Sequence, residues 1–347
     1  MRKLHVLSRP RISVALAAIS GIGIIFALSG CTNEALQATR YGPQREINTE
    51  ISGLVKIRPN GYLFVRDWKS DRQSGPRLAF LDVGDTGLSV KDIEIDGLGG
   101  RDQPNDLESI CSIPDGQDEY LLVESGYAQG KFGRIIRTKV TEEQGIWRAS
   151  LLGVLHPTPP NTEWKDLSTP SVDQIEGIGC VLDQSNRLWI LLGKRGGKRI
   201  PGYLIWGEVK DFKSPRPSFI LTGEQSLSGN PLADRAIGEI YLEPLRSGEW
   251  RVWTVATVDE GNQGPFRSMI YSPGRLSVDQ SEGALFSLDQ HSDSWMVEGL
   301  KVEGLAAPPD LLPSSVMAIG TDDEDYTGVW RPLPKRHLAD KYRLNAR

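Results

Sequence analysis

The sequence predicts an all-β fold, most simply a β-propeller of five four-stranded blades. Three observations support this. The 347 residues include 37 glycines and 22 prolines, and segments with the apolar period of a helix are nearly absent. A similar short motif recurs every 56 to 68 residues. Each recurrence is followed by enough apolar segments for four strands, which is the content of one propeller blade.

The repeat opens with an apolar step, often Glu-Gly followed by an aliphatic residue, and continues into a strongly apolar second segment. The opening steps are at 51–54, 107–110, 175–178, 237–240 and 302–305. The second predicted strands are at 62–67, 120–125, 188–192, 253–257 and 316–319. Five copies of one unit are stronger evidence for a repeat than any single match.

Third strands are predicted at 77–82, 134–140, 203–209, 268–272 and 329–333, and fourth strands at 88–96, 149–155, 218–222 and 295–297. The fifth unit ends after its third strand, so residues 45–50 are predicted to supply the missing strand and close the ring. Six blades are the alternative if 210–235 or 272–294 hold further strands. A pair of β-sandwiches is the other alternative.

The first 30 residues are predicted to be a lipoprotein signal peptide. Basic residues precede an uncharged apolar run, and Leu28, Ser29 and Gly30 lead into Cys31 in the pattern of a lipobox. Cys31 is therefore the predicted lipidation site, and an uncleaved membrane span is the alternative. Thr32, directly after this cysteine, resembles the sorting signal that directs a lipoprotein to the outer membrane. The predicted domains are the signal peptide 1–30, a tether 31–44, the propeller 45–334 and a basic tail 335–347.

The amino-acid composition limits the classes of partner that the protein is expected to bind. The net charge is −5, and removing the four basic residues of the first 30 leaves −9. An acidic surface argues against nucleic acid as a partner. The expected location is the cell envelope outside the cytoplasm, lipid-anchored to a membrane, as a monomer. Cys111 and Cys180 either pair there or remain as buried thiols.

Several segments resemble the SdiA-regulated family of exported bacterial propellers. They are Glu50 to Leu54, 62–65, Arg77 and Leu78 with Asp82, 93–97 and 106–110, with later Glu-Gly steps at 176–177 and 303–304. These segments are also similar to the family called esterase-like activity of phytase and, more distantly, to gluconolactonase-like propellers. The resemblance implies a propeller over most of 47–330. Two departures are Ser109, where glycine is usual, and Gly238-Glu239, which reverses the Glu-Gly order.

The Glu-Gly steps predict a carboxylate site. Glu108, Glu176 and Glu303 begin the innermost strands of three blades, so they are expected to converge at one end of the channel, with Asp106 and Asp173 beside them. Clustered carboxylates suit Ca²⁺ or another oxygen-preferring cation. The structural alternative is that each glutamate accepts backbone hydrogen bonds and locks neighbouring blades together.

A second candidate set follows the second strands and is expected to form one rim: Asp67, Glu124, Lys194, Arg195, Asp259, Glu260, Asp322 and Asp323. The basic loop from Lys194 to Arg199 could hold a phosphate or carboxylate, although a solvated turn is its commoner meaning. The sequence has no Gly-x-Ser-x-Gly or His-Glu-x-x-His motif and no phosphate-binding glycine loop. His156, His291 and His337 are scattered over loops or the tail, so a histidine-based nucleophilic triad is not expected.

The sequence thus predicts a membrane-anchored propeller that binds a small molecule or an envelope protein through one face. The alternative is a cation-assisted hydrolase of an ester, lactone or phosphoester. A purely structural envelope component would have no small-molecule site.

Overall fold

The fold is described from a computed structural model. It describes residues 45–47, 49–69, 74–85, 87–115, 117–125, 133–157, 174–197, 200–215, 217–227, 232, 235–258, 260–290 and 293–335. Within these ranges the regular structure consists of β-strands and short 3₁₀ turns. None of the described segments is a helix with the length and apolar character needed to cross a membrane. The predicted signal peptide, Cys31 and the tail beyond 335 lie outside the described residues.

In the part of the chain that the structure describes, twenty-two strands form five sheets, each one blade, and their pairings are antiparallel except for a short parallel one between 95–96 and 149–150. Blade 1 contains β2 (Gly53–Arg58), β3 (Gly61–Val65), β4 (Leu78–Gly84) and β5 (Gly87–Ile93). Blade 2 contains β7 (Leu107–Ser112), β8 (Glu119–Glu124), β9 (Ile135–Glu143) and β10 (Ile146–Leu155), with β6 (Ile95–Asp96) added at its edge. Blade 3 contains β11 (Ile175–Leu182), β12 (Leu188–Lys194), β13 (Gly202–Lys210) and β14 (Ser218–Leu227).

Blade 4 contains β15 (Ile240–Pro244), β16 (Trp250–Val258) and β17 (Arg267–Asp279), with β18 (Gly283–Leu288) and β19 (Ser294–Glu298) both paired to β17. Blade 5 contains β20 (Val302–Ala306), β21 (Ser315–Thr321), β22 (Gly328–Pro334) and β1 (Arg45–Ile47). The five-bladed propeller predicted from the repeat is therefore confirmed.

The ring is held together by apolar contact between successive blades. The inner strands follow one another around the axis in the order β2, β7, β11, β15 and β20, and β20 returns to β2. Five buried clusters fill the five gaps between blades. The gap between blades 5 and 1 is filled by Trp330 packed with Tyr62 and Phe64. Because one sheet cannot bury both its faces, this repeated packing is what makes each blade stable.

The predicted closure by an N-terminal strand is confirmed. Strand β1 pairs antiparallel with β22, with Arg45 opposite Trp330 and Ile47 opposite Gly328. It thereby becomes the outermost strand of blade 5 and covers an edge that would otherwise present unpaired backbone groups.

Two details differ from the predicted strands. The predicted strand 88–96 ends at Ile93, and Ile95 and Asp96 pair instead with β10 of the next blade. In blade 4, the range 272–294 does contain an extra strand, β18, but it extends the same blade and adds no sixth one. The alternation of exposed and buried positions in these outer strands is weak, so their ends are poorly marked in the sequence.

Cys111 of β7 and Cys180 of β11 form a disulfide, with their Cα atoms 5.8 Å apart. Both cysteines lie in inner strands of neighbouring blades, so the bond joins blade 2 to blade 3 within their shared apolar cluster. Of the two alternatives left open by the sequence, the structure has the paired one.

Candidate functional site

The candidate site lies at one end of the channel, where the five inner strands begin and the second strands of the blades end. We call this end the mouth and define it by Glu50, Asp67, Glu108, Glu176 and Glu303, with the side chains that contact them. Its chain segments come from blades 1, 2, 3 and 5, so the site exists only when the ring is closed.

Three of the predicted carboxylates occupy equivalent irregular positions. The pairing register shifts between Leu107 and Ser109, between Ile175 and Gly177, and between Val302 and Gly304. In each case the residue skipped is the glutamate, at 108, 176 and 303. A β-bulge of this kind turns one side chain out of the regular alternation and is common beside functional sites.

The residue after the bulge is small because the inner strands approach closely. A Cβ atom on Gly177 would lie 2.7 Å from the backbone nitrogen of Ile240 in blade 4, and one on Gly53 would lie 2.5 Å from Cα of Ser109. A Cβ atom does not approach another backbone atom this closely unless the backbone is displaced. The Glu-Gly step therefore combines two requirements, a carboxylate at the mouth and a glycine at the blade contact.

The two departures from the repeat contact each other. Glu239 occupies the position where other units have glycine, and its Oε1 contacts the hydroxyl of Ser109 from blade 2. The amide of Ile240 donates to the same oxygen at 2.7 Å, and the amide of Ile178 donates to Ser109 Oγ at 3.0 Å. Three blades are joined at this point near the axis. Burial raises the pKa of the Glu239 carboxyl well above its usual range, against these hydrogen bonds.

A compact set of three carboxylates joins blades 1 and 5. Ligand oxygens of Glu50, Asp67 and Asp322 all lie within 4.8 Å of one another. The indole nitrogen of Trp68 donates to Glu50 Oε2 at 2.6 Å and orients that side chain. Asp67 and Asp322, both members of the predicted rim set, follow the second strands of their blades, whereas Glu50 was not predicted as a ligand.

Two lysines neutralise part of this charge. Lys301 is buried, with Nζ 3.1 Å from Glu303 Oε1 and 3.0 Å from Asp322 Oδ2, and it also contacts Glu324. Lys69 Nζ lies 3.0 Å from Asp106 Oδ1 and 3.6 Å from Asp67 Oδ2. Burial opposes the charge of Lys301, but Glu303 and Asp322 outweigh it, so its pKa is raised well above the usual value.

Two arginines face the same carboxylates from blades 3 and 4. Arg235 lies 3.1 Å from Glu303 Oε1. Arg195 lies 3.6 Å from Glu176 Oε1, and that buried oxygen accepts no hydrogen bond from the described residues. A buried carboxylate oxygen without a hydrogen bond is unusual and points to a water, an ion or a ligand at this place.

The carboxyls of the mouth also repel one another. Burial, then Glu176, Asp106, Asp67 and Glu303, raise the pKa of Glu108 well above its usual range. Burial and Asp322 raise the pKa of Asp67 to about 7, and burial raises the pKa of Glu303 to about 8. Glu108 has no salt-bridge partner among the residues that the structure describes, and its side chain is part-exposed.

Not every predicted site residue faces the mouth. Glu124 is bound to Arg134 at 2.7 Å and accepts the amide of Asn105 at 2.8 Å. Asp323 accepts the amide of Lys301 and the hydroxyl of Thr321, both at 2.7 Å. These two carboxylates hold loops in place. Lys194 is half-buried at the end of β12, and Glu260 is exposed. Asp173 and Asp259 lie outside the described residues.

The sequence reasoning missed Glu50, Lys69, Lys301 and Glu239. Lys301 and Glu50 each directly precede the opening apolar step of their unit. Their positions in the repeat were visible in the sequence, but the same residue type does not recur at the equivalent positions of the other units. Their roles depend on contacts between blades.

The charge balance of the mouth favours a cation. The described residues bring together eight carboxyl groups and four basic groups. The carboxyls are Glu50, Asp67, Asp106, Glu108, Glu176, Glu303, Asp322 and Glu324, and the bases are Lys69, Arg195, Arg235 and Lys301. Clustered carboxylate oxygens are the ligands preferred by Ca²⁺.

Comparisons with known proteins find structures of low similarity. No protein-family model and no curated protein sequence matches the chain. An α-L-arabinanase of Cellvibrio cellulosa is similar in structure, with 12% identity over 82% of this chain and 91% of that one, at a TM-score of 0.46. An exo-1,5-α-L-arabinanase from a bovine ruminal metagenomic library has 9% identity over 83% of this chain and 93% of that one, at a TM-score of 0.41.

A soluble aldose sugar dehydrogenase of Escherichia coli has 11% identity over 84% of this chain and 98% of that one, at a TM-score of 0.35. Likenesses this remote carry no information about what the protein binds or catalyses.

Proposed function

We propose that the protein is a membrane-anchored, extracytoplasmic propeller that binds a divalent, oxygen-preferring cation such as Ca²⁺ at the mouth, and through it a small ligand or partner. The observation that carries this proposal is the set of Glu50, Asp67 and Asp322 oxygens within 4.8 Å of one another. A cation there would neutralise carboxylates that now repel.

Two further observations support a cation. Glu176 Oε1 is buried and has no hydrogen bond within the described part of the chain. The part-exposed Glu108 is surrounded by four other carboxyls. Ca²⁺ accepts six to eight oxygen ligands in irregular geometry, whereas Mg²⁺ requires a smaller octahedral site. Carboxylates delivered by separate loops of different blades suit the larger ion.

Thermal unfolding with Ca²⁺, Mg²⁺ or a chelator tests the proposal. Ca²⁺ at about 100 times its dissociation constant would stabilise the fold by about 2.7 kcal/mol, since only the closed ring assembles the ligands. Asp67→Asn removes one ligand and should reduce that shift by more than half. The matched control is Asp310→Asn, because Asp310 is an exposed carboxylate paired with Lys56 away from the mouth.

A midpoint that is the same in Ca²⁺ and in chelator would contradict the cation site. A shift that Asp67→Asn leaves intact would place the ion elsewhere.

The envelope location rests on the lipobox at Cys31 and on the disulfide. Disulfides persist outside the cytoplasm and are rare within it, and Cys111 and Cys180 are paired. The segments that resemble the SdiA-regulated and phytase-related propellers fit the same assignment, and we retain membership of that group as part of the proposal.

A cation-assisted hydrolase is the second candidate, and Glu108 favours it. A part-exposed carboxyl with a raised pKa, beside a site for a cation, could give or take a proton while the ion polarises an ester or phosphoester. Calcium-dependent turnover of an aryl ester or aryl phosphate, lost in Glu108→Gln, would establish this candidate. Calcium binding without turnover would contradict the hydrolase and support the binding function.

A further inference from the structure

A polar cavity lies at the outer edge of blade 4. Strand β17 pairs with β19 through Arg267–Tyr271 and with β18 through Gly274–Asp279, so its outer partner changes midway. Two backbone hydrogen bonds frame the change, from Ser272 to Asp293 and from Asp289 to Pro273, both at 3.0 Å. The cavity of about 280 Å³ at this break is lined by Arg251, Ser272, Arg275, Asp289, Gln290 and Asp293.

We propose that this cavity binds an oxyanion, namely a phosphate or sulfate group, between Arg251 and Arg275. The proposal does not depend on the function assigned to the mouth. The cavity lies beside the start of β16, whereas the mouth is at the end where the second strands finish. The two sites also differ in the sign of the charge they would accept.

The first argument is the pairing of two like charges. Arg251 of β16 lies directly opposite Arg275 of β17, and like charges in that position destabilise a sheet. The Arg251 guanidinium also lies 5.6 Å from the centre of the Trp253 ring, which holds it in place. An anion bridging both guanidiniums would remove the repulsion and use their planar array of donors.

The second argument is that the carboxylates nearby are weak partners. Asp293 Oδ2 is 3.5 Å from Arg251, Asp289 Oδ1 is 3.5 Å from Arg275, and Glu243 Oε2 is 4.0 Å from Arg251. Asp293 is exposed and Glu243 is half-buried, and long ion pairs in contact with water contribute little. A dianion that contacts both arginines at once can compete with them.

The third argument is a buried hydroxyl without a partner. Ser272 is 2% exposed, and its Oγ makes no hydrogen bond to any described residue. A buried hydroxyl of this kind normally has a partner. It lines the cavity together with the amide of Gln290, so an anion would meet one hydroxyl, one amide and two guanidiniums as donors. The volume suits a single tetrahedral group and is small for a drug-sized ligand.

Calorimetric titration with inorganic phosphate, sulfate, acetate and glycerol phosphate, at constant ionic strength and in the presence of chelator, tests the site. We expect phosphate and sulfate to bind more tightly than acetate, because a dianion satisfies both arginines. Glycerol phosphate distinguishes a site for the free ion from one that accepts a phosphoester. Chelator keeps any cation at the mouth from contributing.

Three single substitutions test whether phosphate binds at this cavity. Arg275→Gln should weaken phosphate binding about tenfold or more, since a charged hydrogen bond is lost. The control Arg267→Gln removes the same charge from the same strand, where Arg267 is exposed and paired with Glu298 at 2.9 Å. Asp289→Asn should tighten binding about twofold or more, because it removes a competing anion. A gain of affinity cannot arise from misfolding.

Equal weakening in Arg275→Gln and Arg267→Gln would show a general charge effect and overturn the proposal. Unchanged affinity in Asp289→Asn, or equal binding of acetate and phosphate, would also contradict it.

Discussion

At the scale of single residues, the channel depends on one buried carboxyl. Glu239 is 1% exposed and reaches Ser109 of a blade that is not its neighbour in the ring. Both residues replace the glycine of the repeat, at equivalent steps of blades 2 and 4. Each departure looks anomalous in the sequence alone. Together they form a polar contact where two glycines would leave space.

The raised pKa of Glu239 gives a prediction about pH. Burial holds the carboxyl of the folded protein protonated above the usual 4.5, so the folded state binds more protons than the unfolded state. The contribution of Glu239 to the stability of the wild type must therefore fall as pH rises from about 4.5 through the folded pKa. Glu239→Gln does not titrate and keeps an oxygen for Ser109 and the Ile240 amide.

We expect the stability of Glu239→Gln relative to wild type to increase steadily with pH above about 4.5, as measured by urea unfolding in chelator. Glu298→Gln, at an exposed position, is the control and should show no such trend. A difference between Glu239→Gln and wild type that is independent of pH would show that the Glu239 pKa is close to that of the unfolded chain.

The candidate site was partly predictable at this scale. Glu108, Glu176 and Glu303 were identified because they repeat, and the structure gives all three the same bulged position. Glu50, Lys69 and Lys301 do not repeat. Their importance comes from neighbours on other blades, which no pattern within a single unit records.

At the scale of elements, the Glu-Gly step joins a bulge to a close approach of inner strands. Glycine at 177 leaves room for the backbone of blade 4, and the bulge turns Glu176 toward the mouth. This two-residue sequence therefore affects two separate places, the carboxylate set of the mouth and the contact between blades 3 and 4. Gly238 in blade 4 has no such neighbour, since a Cβ there would be 3.8 Å from the nearest atoms.

Substitution by alanine should separate these two glycines. Gly177→Ala places a methyl group 2.7 Å from the Ile240 nitrogen, so we expect a loss of about 2–4 kcal/mol in the free energy of unfolding. Gly238→Ala has space and an ordinary backbone conformation, so its effect should stay within about 1 kcal/mol. Chemical denaturation of both variants measures the difference. Equal effects would mean that blades 3 and 4 are less tightly packed here.

At the scale of the whole molecule, the closing strand follows the proposed anchor closely in the chain. Strand β1 completes blade 5, and only 13 residues separate Arg45 from Cys31. A lipid on Cys31 would therefore hold the propeller within about 45 Å of the membrane surface, from the reach of an extended chain. The mouth and the blade 4 cavity would both remain outside the cytoplasm.

The anchor is testable in cells. Cys31→Ala should abolish incorporation of labelled palmitate and leave the precursor unprocessed, because the thiol that accepts the lipid is absent. Ser29→Ala keeps a small residue in the lipobox and should be lipidated normally. Unlabelled wild-type protein that still resists extraction from the membrane would favour an uncleaved span instead.

The sequence by itself determined the number of units, their strand content and the origin of the closing strand. These follow from short-range pattern, because every unit must bury the same faces against its neighbours. It also indicated which glutamates begin the inner strands. The tertiary structure alone decided that Cys111 pairs with Cys180, that Ser109 meets Glu239, and that Lys301 neutralises Glu303 and Asp322. Each of these contacts joins residues on different strands or blades, and the free energy of burying a charge depends on what the closed ring brings beside it.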